Sequence, residues 1–322
     1  MMGRRLFRRV GLFAAACALG LAALMLLGGC VDQHPEGASG QADVSASAAE
    51  ASGSSAGSAA DSAAEGARIV ATSPAVADMC ARLDLDLVGV PESDSVPDRY
   101  ADVTKVGAAM SPDMEVLKSL SPDYVLSPNT LESDLQPKYA AAGVASVFLD
   151  TSSVQGLIDS VEWLGTKFGR QQQADQIVAE HEAFMEDFQA RIAGKDQPTV
   201  LILMGVPGSY IVATENSYVG SLVEMAGGQN VYAGTDQEFF NANTEDMLEK
   251  EPDVILRASH GLPDEVTEVF AEEFAENDIW QHFSAVEQGR VYDLPYDEFG
   301  MSAQFNYTDA LEYLVPLLYE KG

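Results

Sequence analysis

Residues 252–266 read Pro252-Asp253-Val254-Ile255-Leu256-Arg257-Ala258-Ser259-His260-Gly261-Leu262-Pro263-Asp264-Glu265-Val266, and the fold turns on how they are read. Pro252 and Asp253 break the helix before them. Val254, Ile255 and Leu256 form a short unbroken apolar run that suits a strand buried on both faces. Gly261 follows His260, and Pro263 with Asp264 and Glu265 has the make-up of a helix's first turn. A strand that passes directly into a helix is a unit of an open α/β sheet, whose ligands bind outside the carboxyl ends of the strands. His260 falls at such an end. A loop histidine is equally an ordinary solvated side chain, so on this stretch alone His260 is one candidate ligand.

Outward from this unit, the chain alternates strands and helices from Arg68 onward. A strand is predicted at 69–71, followed by a helix that Thr72-Ser73-Pro74 caps and that carries Val76, Met79, Cys80 and Leu83 on its apolar face. Further strands are predicted at 87–90, 124–126 and 145–149, with helices at 112–120 and around 131–142. Together they make one small α/β lobe, residues 68–168. Val154, Leu157, Ile158, Val161, Leu164 and Phe168 then recur at helical spacing up to Gly169. A second stripe, Ile177, Val178, His181, Phe184, Met185, Phe188 and Ile192, runs to Gly194. A helix over 170–193 would be about 36 Å long, enough for a rigid strut between lobes, and residues 169–194 are assigned to it. His181 lies in the apolar stripe and reads as a half-buried, hydrogen-bonded imidazole rather than a metal ligand. A second α/β lobe, 195–322, opens with a strand at 199–203, a turn through Gly205-Val206-Pro207-Gly208-Ser209 and a strand at 210–213. A helix with Val219, Leu222, Val223 and Ala226 follows, ended by Gly227-Gly228.

The two lobes echo each other. Asp113-Met114-Glu115-Val116-Leu117 leads to Pro122-Asp123-Tyr124-Val125-Leu126, and 130 residues later Asn243-Thr244-Glu245-Asp246-Met247 leads to Pro252-Asp253-Val254-Ile255-Leu256. A repeat that long is a duplicated βα unit, not a solenoid. Two similar lobes imply a cleft between them, where ligands preferentially bind.

The chain's start has the signature of export. Arg4, Arg5, Arg8 and Arg9 precede an apolar run over 10–27, and Leu27-Gly28-Gly29-Cys30 closes it. This reads as a signal peptide, residues 1–29, ending in a lipobox, with Cys30 as the lipidated residue. Residues 30–67 are then the lipidated cysteine and an Ala/Ser/Gly tether with too few bulky apolar side chains to order by burial. The formal net charge is −32, and loss of the leader's four arginines takes the mature chain to −36. Such a chain will not hold nucleic acid. Cys17 leaves with the leader and Cys30 carries lipid, so Cys80 has no disulfide partner; on an apolar helix face it reads as a core thiol.

Catalytic patterns are poorly supported. Gly300-Met301-Ser302-Ala303 begins like a nucleophile elbow, but Gln304 replaces the second glycine and no histidine follows. Phosphate-cradling loops are absent, and the mature chain holds only His34, His181, His260 and His282. What survives is Met110, in the loop Val106-Gly107-Ala108-Ala109-Met110-Ser111-Pro112 at the first lobe's rim. Alone it reads as core filler or a hydrophobic contact. Facing His260, it would complete the thioether and imidazole pair that grips haem iron axially in cytochromes.

Val200-Leu201-Ile202-Leu203-Met204-Gly205-Val206-Pro207-Gly208-Ser209-Tyr210, Ser217-Tyr218-Val219-Gly220, Ala226-Gly227-Gly228 and His260-Gly261-Leu262-Pro263 resemble the haem-receptor lipoproteins of the iron-regulated surface determinant uptake system, the IsdE type. The resemblance runs from about Arg68 to near Tyr292. It implies a class III substrate-binding protein of an ABC importer: two α/β lobes joined by one long helix, with haem as the transported ligand in the cleft. Methionine of the first lobe and histidine of the second would hold the iron, positions that match Met110 and His260. It further implies a lipid-anchored monomer on the extracytoplasmic face of the cell membrane, partnered by an ABC permease and its ATPase and supplied by upstream haem-relay proteins. No enzymatic activity is implied. Glu115 and Glu245, at matching places of the repeat, would dock on permease arginines; they read equally as first-turn acids that favour the helix dipole. No cation lies in the loop Pro91-Glu92-Ser93-Asp94-Ser95, so Thr72, Ser73 and the amides opening their helix are the expected propionate partners; both residues otherwise serve only as caps. Imidazole ligates only when neutral, so haem binding is expected to weaken below about pH 6. The alternatives are a ferric-siderophore or cobalamin receptor of the same class and, from another class, a haem-dependent enzyme with an open iron position.

Overall fold

The computed structural model describes residues 66–320 apart from Pro207. The expected signal peptide, Cys30 and the tether as far as residue 65 lie outside the described residues.

The first lobe holds β1 (Ile69–Ala71), α1 (Pro74–Arg82), β2 (Gly107–Ala108), β3 (Ser111–Pro112), α2 (Met114–Ser119), β4 (Tyr124–Pro128), α3 (Glu132–Ala142) and β5 (Ser146–Leu149). Its parallel sheet has the order β1-β4-β5, with Val70 opposite Val125 and Val125 opposite Ser146. Residues 87–90, predicted as a full strand, contribute only single bridges, Val70 to Gly89 and Val90 to Lys105. Pro91 follows with no N–H to extend the ladder. α2 starts two residues later than predicted, because the Asp113 carboxylate caps it by accepting from the Glu115 and Val116 amides at 2.9 and 3.1 Å.

α4 (Val154–Lys167) and α5 (Gln171–Ile192) then form a tight helical pair turned by Gly169 at φ 66. Gly165 lets them approach: a Cβ there would lie 2.5 Å from the Ala174 Cβ. At 22 residues, α5 is about 33 Å long, one residue shorter at each end than predicted.

The second lobe comprises β6 (Thr199–Val206), β7 (Ser209–Ala213), α6 (Tyr218–Met225), β8 (Gln229–Asn230), β9 (Phe239–Phe240), α7 (Thr244–Glu249), β10 (Val254–Ser259), α8 (Pro263–Glu276), α9 (Ser284–Glu287), β11 (Val291–Asp293) and α10 (Tyr307–Tyr319). The sheet order is β11-β10-β6-β7-β9, with β8 also paired to β6. Strands β11, β10, β6 and β8 are parallel, while β7 pairs antiparallel with both β6 and β9. Strand alternation splits its core. Val200, Ile202, Met204, Val254 and Leu256 face α6 and α10 in a cluster that continues through α4 into the first lobe. Leu201, Leu203 and Ile255 pack against Val266 and Phe270 of α8 and against Trp280 and Phe283. Val254, Ile255 and Leu256 are fully buried, as their unbroken apolar run requires. Two α/β lobes joined by one long helix are the fold class that the sequence implied.

The repeat extends to its local devices. Asp113 and Asn243 cap α2 and α7. Ser121 and Glu251, 130 residues apart, both take left-handed backbone, φ 46 and 48. Asp123 accepts from the Arg68 amide and Asp253 from the Thr199 amide, each at 2.8 Å. Cys80 is fully buried, and burial pushes its thiol up to about 12, as expected of a core thiol. Among the described residues no helix is long and apolar enough to cross a membrane.

Candidate functional site

The carboxyl ends of β4 and β10 open onto one cleft of about 570 Å³, within the range of small-molecule sites. First-lobe side chains in its wall include Ser73, Ala75, Met110 and Thr130; His260, Tyr296, Met301 and Asn306 come from the second. Thr130 and His260 occupy equivalent places of the 130-residue repeat, one just beyond each strand.

His260 is held by its backbone. Its amide donates to the Gly205 carbonyl at 2.9 Å, continuing the pairing of β10 with β6. The half-buried ring has its Nδ1 buried with no hydrogen-bond partner among the described residues. Leu262, at φ 48, turns the chain into α8 and is 59% exposed.

Met110 sits in the turn of the hairpin β2–β3, where Ala108 pairs with Ser111 and Gly107, at φ 91, pairs with Pro112. Its side chain is 60% exposed. That overturns the reading of Met110 as core filler: the thioether stands in the cleft wall unpacked. Met110 and His260 thus enter the same cleft from different lobes.

The expected acid-group partners separate. Ser73 lines the cleft and caps α1, its Oγ accepting from the Val76 amide at 3.3 Å. Thr72 is a correction. Its side chain is fully buried, and its Oγ1 meets the Leu126 carbonyl at 3.2 Å and Ser127 Oγ at 2.8 Å. Ser127 Oγ in turn meets the Tyr139 hydroxyl at 3.0 Å, where burial pushes that phenol up. A buried hydroxyl is satisfied inside the protein, so this one is unavailable to a ligand. Glu115 and Glu245 are exposed in the first turns of α2 and α7 and are not part of the cleft wall. The Lys118 ammonium lies 3.6 Å from the Glu115 carboxylate.

Sequence reading missed the segment between β11 and α10. Residues 294–306 carry no helical or strand periodicity, yet they supply Tyr296, Asp297, Met301, Ser302, Gln304 and Asn306 to the cleft. The segment ties the lobes together: the Ala303 amide donates to the Thr151 carbonyl at 2.7 Å, and Ser302 Oγ lies 3.3 Å from Thr151 Oγ1. The Arg82 guanidinium sits over the Phe305 ring at 4.1 Å. Nearby, His181 Nδ1 meets the Tyr307 hydroxyl at 2.9 Å, and burial holds this imidazole below its ordinary value, in keeping with a hydrogen-bonded strut residue. Among the described residues that line the cleft there is no Lys or Arg, and the one acid is Asp297. Hydroxyl, amide and apolar groups dominate. Such a wall suits a largely apolar guest, and a thioether and an imidazole in it could serve as ligands to a soft or borderline metal that the guest brings with it.

The chain matches the periplasmic binding protein family over residues 69–298. It is 42% identical over 255 residues, 79% of this chain and 87% of the relative, to the high-affinity heme uptake system protein IsdE of Staphylococcus aureus. Its structure is similar to that of S. aureus IsdE complexed with heme, with a TM-score of 0.75, 41% identity and coverage of 79% of this chain and 99% of that one. A Listeria monocytogenes ABC transporter substrate-binding protein gives a TM-score of 0.76 at 45% identity, with the same coverage.

Proposed function

Since the chain belongs to the periplasmic binding protein family, we propose that it is a haem receptor of the IsdE type that captures haem outside the cytoplasm and delivers it to an ABC importer. The observation that carries this reading is the convergence of Met110 and His260, one from each lobe, on a single cleft. A relative of 41% identity whose structure is a heme complex supports it. Thioether and imidazole would fill both axial positions of the iron. No position then remains for oxygen or peroxide, so the geometry serves carriage and handover instead of turnover.

The remaining assignments belong to the same proposal. Ser73 and the α1 N-terminus take an acid group of the haem; Pro74 has no N–H and Ser73 already engages the Val76 amide, so the Ala75 amide is the donor left at that end. Glu115 and Glu245 dock the two lobes on cationic side chains of the permease. Cys30 carries the lipid that, with a further acyl chain, holds the receptor at the membrane. Residues 68–168 and 195–322 act as the two lobes about the strut at 169–194.

Titration with haemin, cobalamin and a ferric siderophore, followed by absorbance and calorimetry, tests the ligand. One haemin per chain with a shifted Soret band is expected. Saturable uptake of cobalamin or a ferric siderophore in place of haemin would overturn the proposal.

A further inference from the structure

A second pocket of about 310 Å³ adjoins the cleft, and Tyr296 walls both. Its other polar groups are Arg257, Ser259, Thr267, Asp293 and Tyr313. Arg257 is its most distinctive feature. The side chain is only 14% exposed, and the guanidinium lies over the Phe270 and Phe274 rings at 5.4 and 4.9 Å. Asp293, directly opposite on β11, accepts from Nε at 2.7 Å and from Nη2 at 2.5 Å. Among the described residues those are its hydrogen bonds, so both N–H groups of Nη1 remain to be used. Stacked on two aromatic rings and clamped by a bidentate carboxylate, this guanidinium is pre-organised to donate to one more planar acceptor.

The cleft itself has no cation among its described lining residues. A chain of net charge −32 therefore offers an acidic guest little local compensation there. Distant acids are screened beyond about 8 Å at physiological salt, so local donors decide. We propose that the Arg257 pocket is a carboxylate subsite that reads one acid group at the edge of the guest, with Arg257 Nη1 donating to the carboxylate and Tyr296 walling the way from the cleft. The inference rests on the haem-receptor reading and adds the group that selects a free acid over its ester.

The experiment compares affinities for haemin and haemin dimethyl ester in the unaltered protein and in Arg257→Gln/Asp293→Asn, which removes both charges of the pair while keeping a polar side chain at each place. The free-acid preference of the unaltered protein should exceed that of the variant by about tenfold, as one charge-assisted hydrogen bond implies; the preference the variant keeps is that of the Ser73 and Ala75 site. A ratio of one in the unaltered protein, or an unchanged ratio in the variant, would overturn the subsite. Ester uptake by the variant reports a folded cleft. If the double variant does not fold, Arg257→Lys keeps a charge opposite Asp293 without the third guanidinium branch and should also lower the ratio. Metal-free protoporphyrin and its dimethyl ester repeat the comparison without axial ligation, so a preference for the acid would survive failure of the Met110 and His260 assignment. Refusal of all four porphyrins would overturn the receptor reading and this inference together.

Discussion

Replacing Gly205 by alanine tests how the second lobe holds His260 in place. Gly205 lies on β6 opposite Ser259, and its carbonyl accepts from the His260 amide. A Cβ there would stand 2.1 Å from Val266 Cγ1 and 2.9 Å from Phe270 Cε2. Both side chains are buried, at 0% and 1% exposure, and belong to α8. Neither can swing into solvent, so α8 must shift away from the sheet. Overpacking of this kind costs about 1–3 kcal/mol, which for a domain of this size lowers Tm by about 2–12 °C. Val266→Ala alone should cost about 2 kcal/mol through lost burial and the space it leaves. The double variant refills part of that space and should fall short of the summed losses by about 1 kcal/mol or more. Denaturant unfolding followed by circular dichroism gives all four values. Additive losses, or an unchanged Tm in Gly205→Ala, would refute the packing argument. Because the displaced helix follows directly on His260, haemin affinity should fall in Gly205→Ala and recover in the double variant.

Thr72→Val should destabilise the chain by about 1 kcal/mol, by removing the hydrogen bonds of its hydroxyl to Ser127 and to the Leu126 carbonyl, while haemin affinity holds. Ser73→Ala should lower both stability, by about 1 kcal/mol, and affinity; thermal melts with haemin titrations check the pair, and an equal affinity loss in Thr72→Val would contradict the assignment. Glu115→Lys with Glu245→Lys should abolish haem-dependent growth while the purified protein still binds haemin, whereas normal growth would remove the docking role. The folded chain resists protonation of His181, so the unfolded chain takes up its proton first as pH falls through about 6.5. The stability His181 contributes is therefore present above that pH and is lost on further acidification; NMR titration of the imidazole should give a midpoint below the free value, and one at or above it would contradict this account.

Much of the fold was legible because its signals are local. The unbroken apolar run of Val254–Leu256 demanded burial on two faces, and the aspartate and asparagine caps of α2 and α7 sit in plain sequence repeats. Residues 87–90 misled because their apolar character reflects packing of Gly89 against Val106 and Leu120, which needs only single bridges. Met110 could be placed at a rim from its loop, but its exposure depends on the hairpin that carries it. Thr72 shows the opposite failure. A threonine before a helix looks like a cap, and only the structure reveals that its hydroxyl is spent on Leu126 and Ser127. The crossing segment at 294–306 has no periodicity to read, since tertiary contacts with Thr151 and Arg82 fix it. Arg257 was hidden for a similar reason: its partner Asp293 is a neighbour only through the parallel register of β10 and β11.

The axial pair is tested most directly by absorption and electron paramagnetic resonance spectra of the haemin complexes of the unaltered protein, Met110→Ala, His260→Ala and the double variant. Six-coordinate low-spin iron is expected in the unaltered protein, loss of that state in each single variant, and weak, ill-defined uptake in the double variant. Four identical spectra with equal affinities would contradict the account.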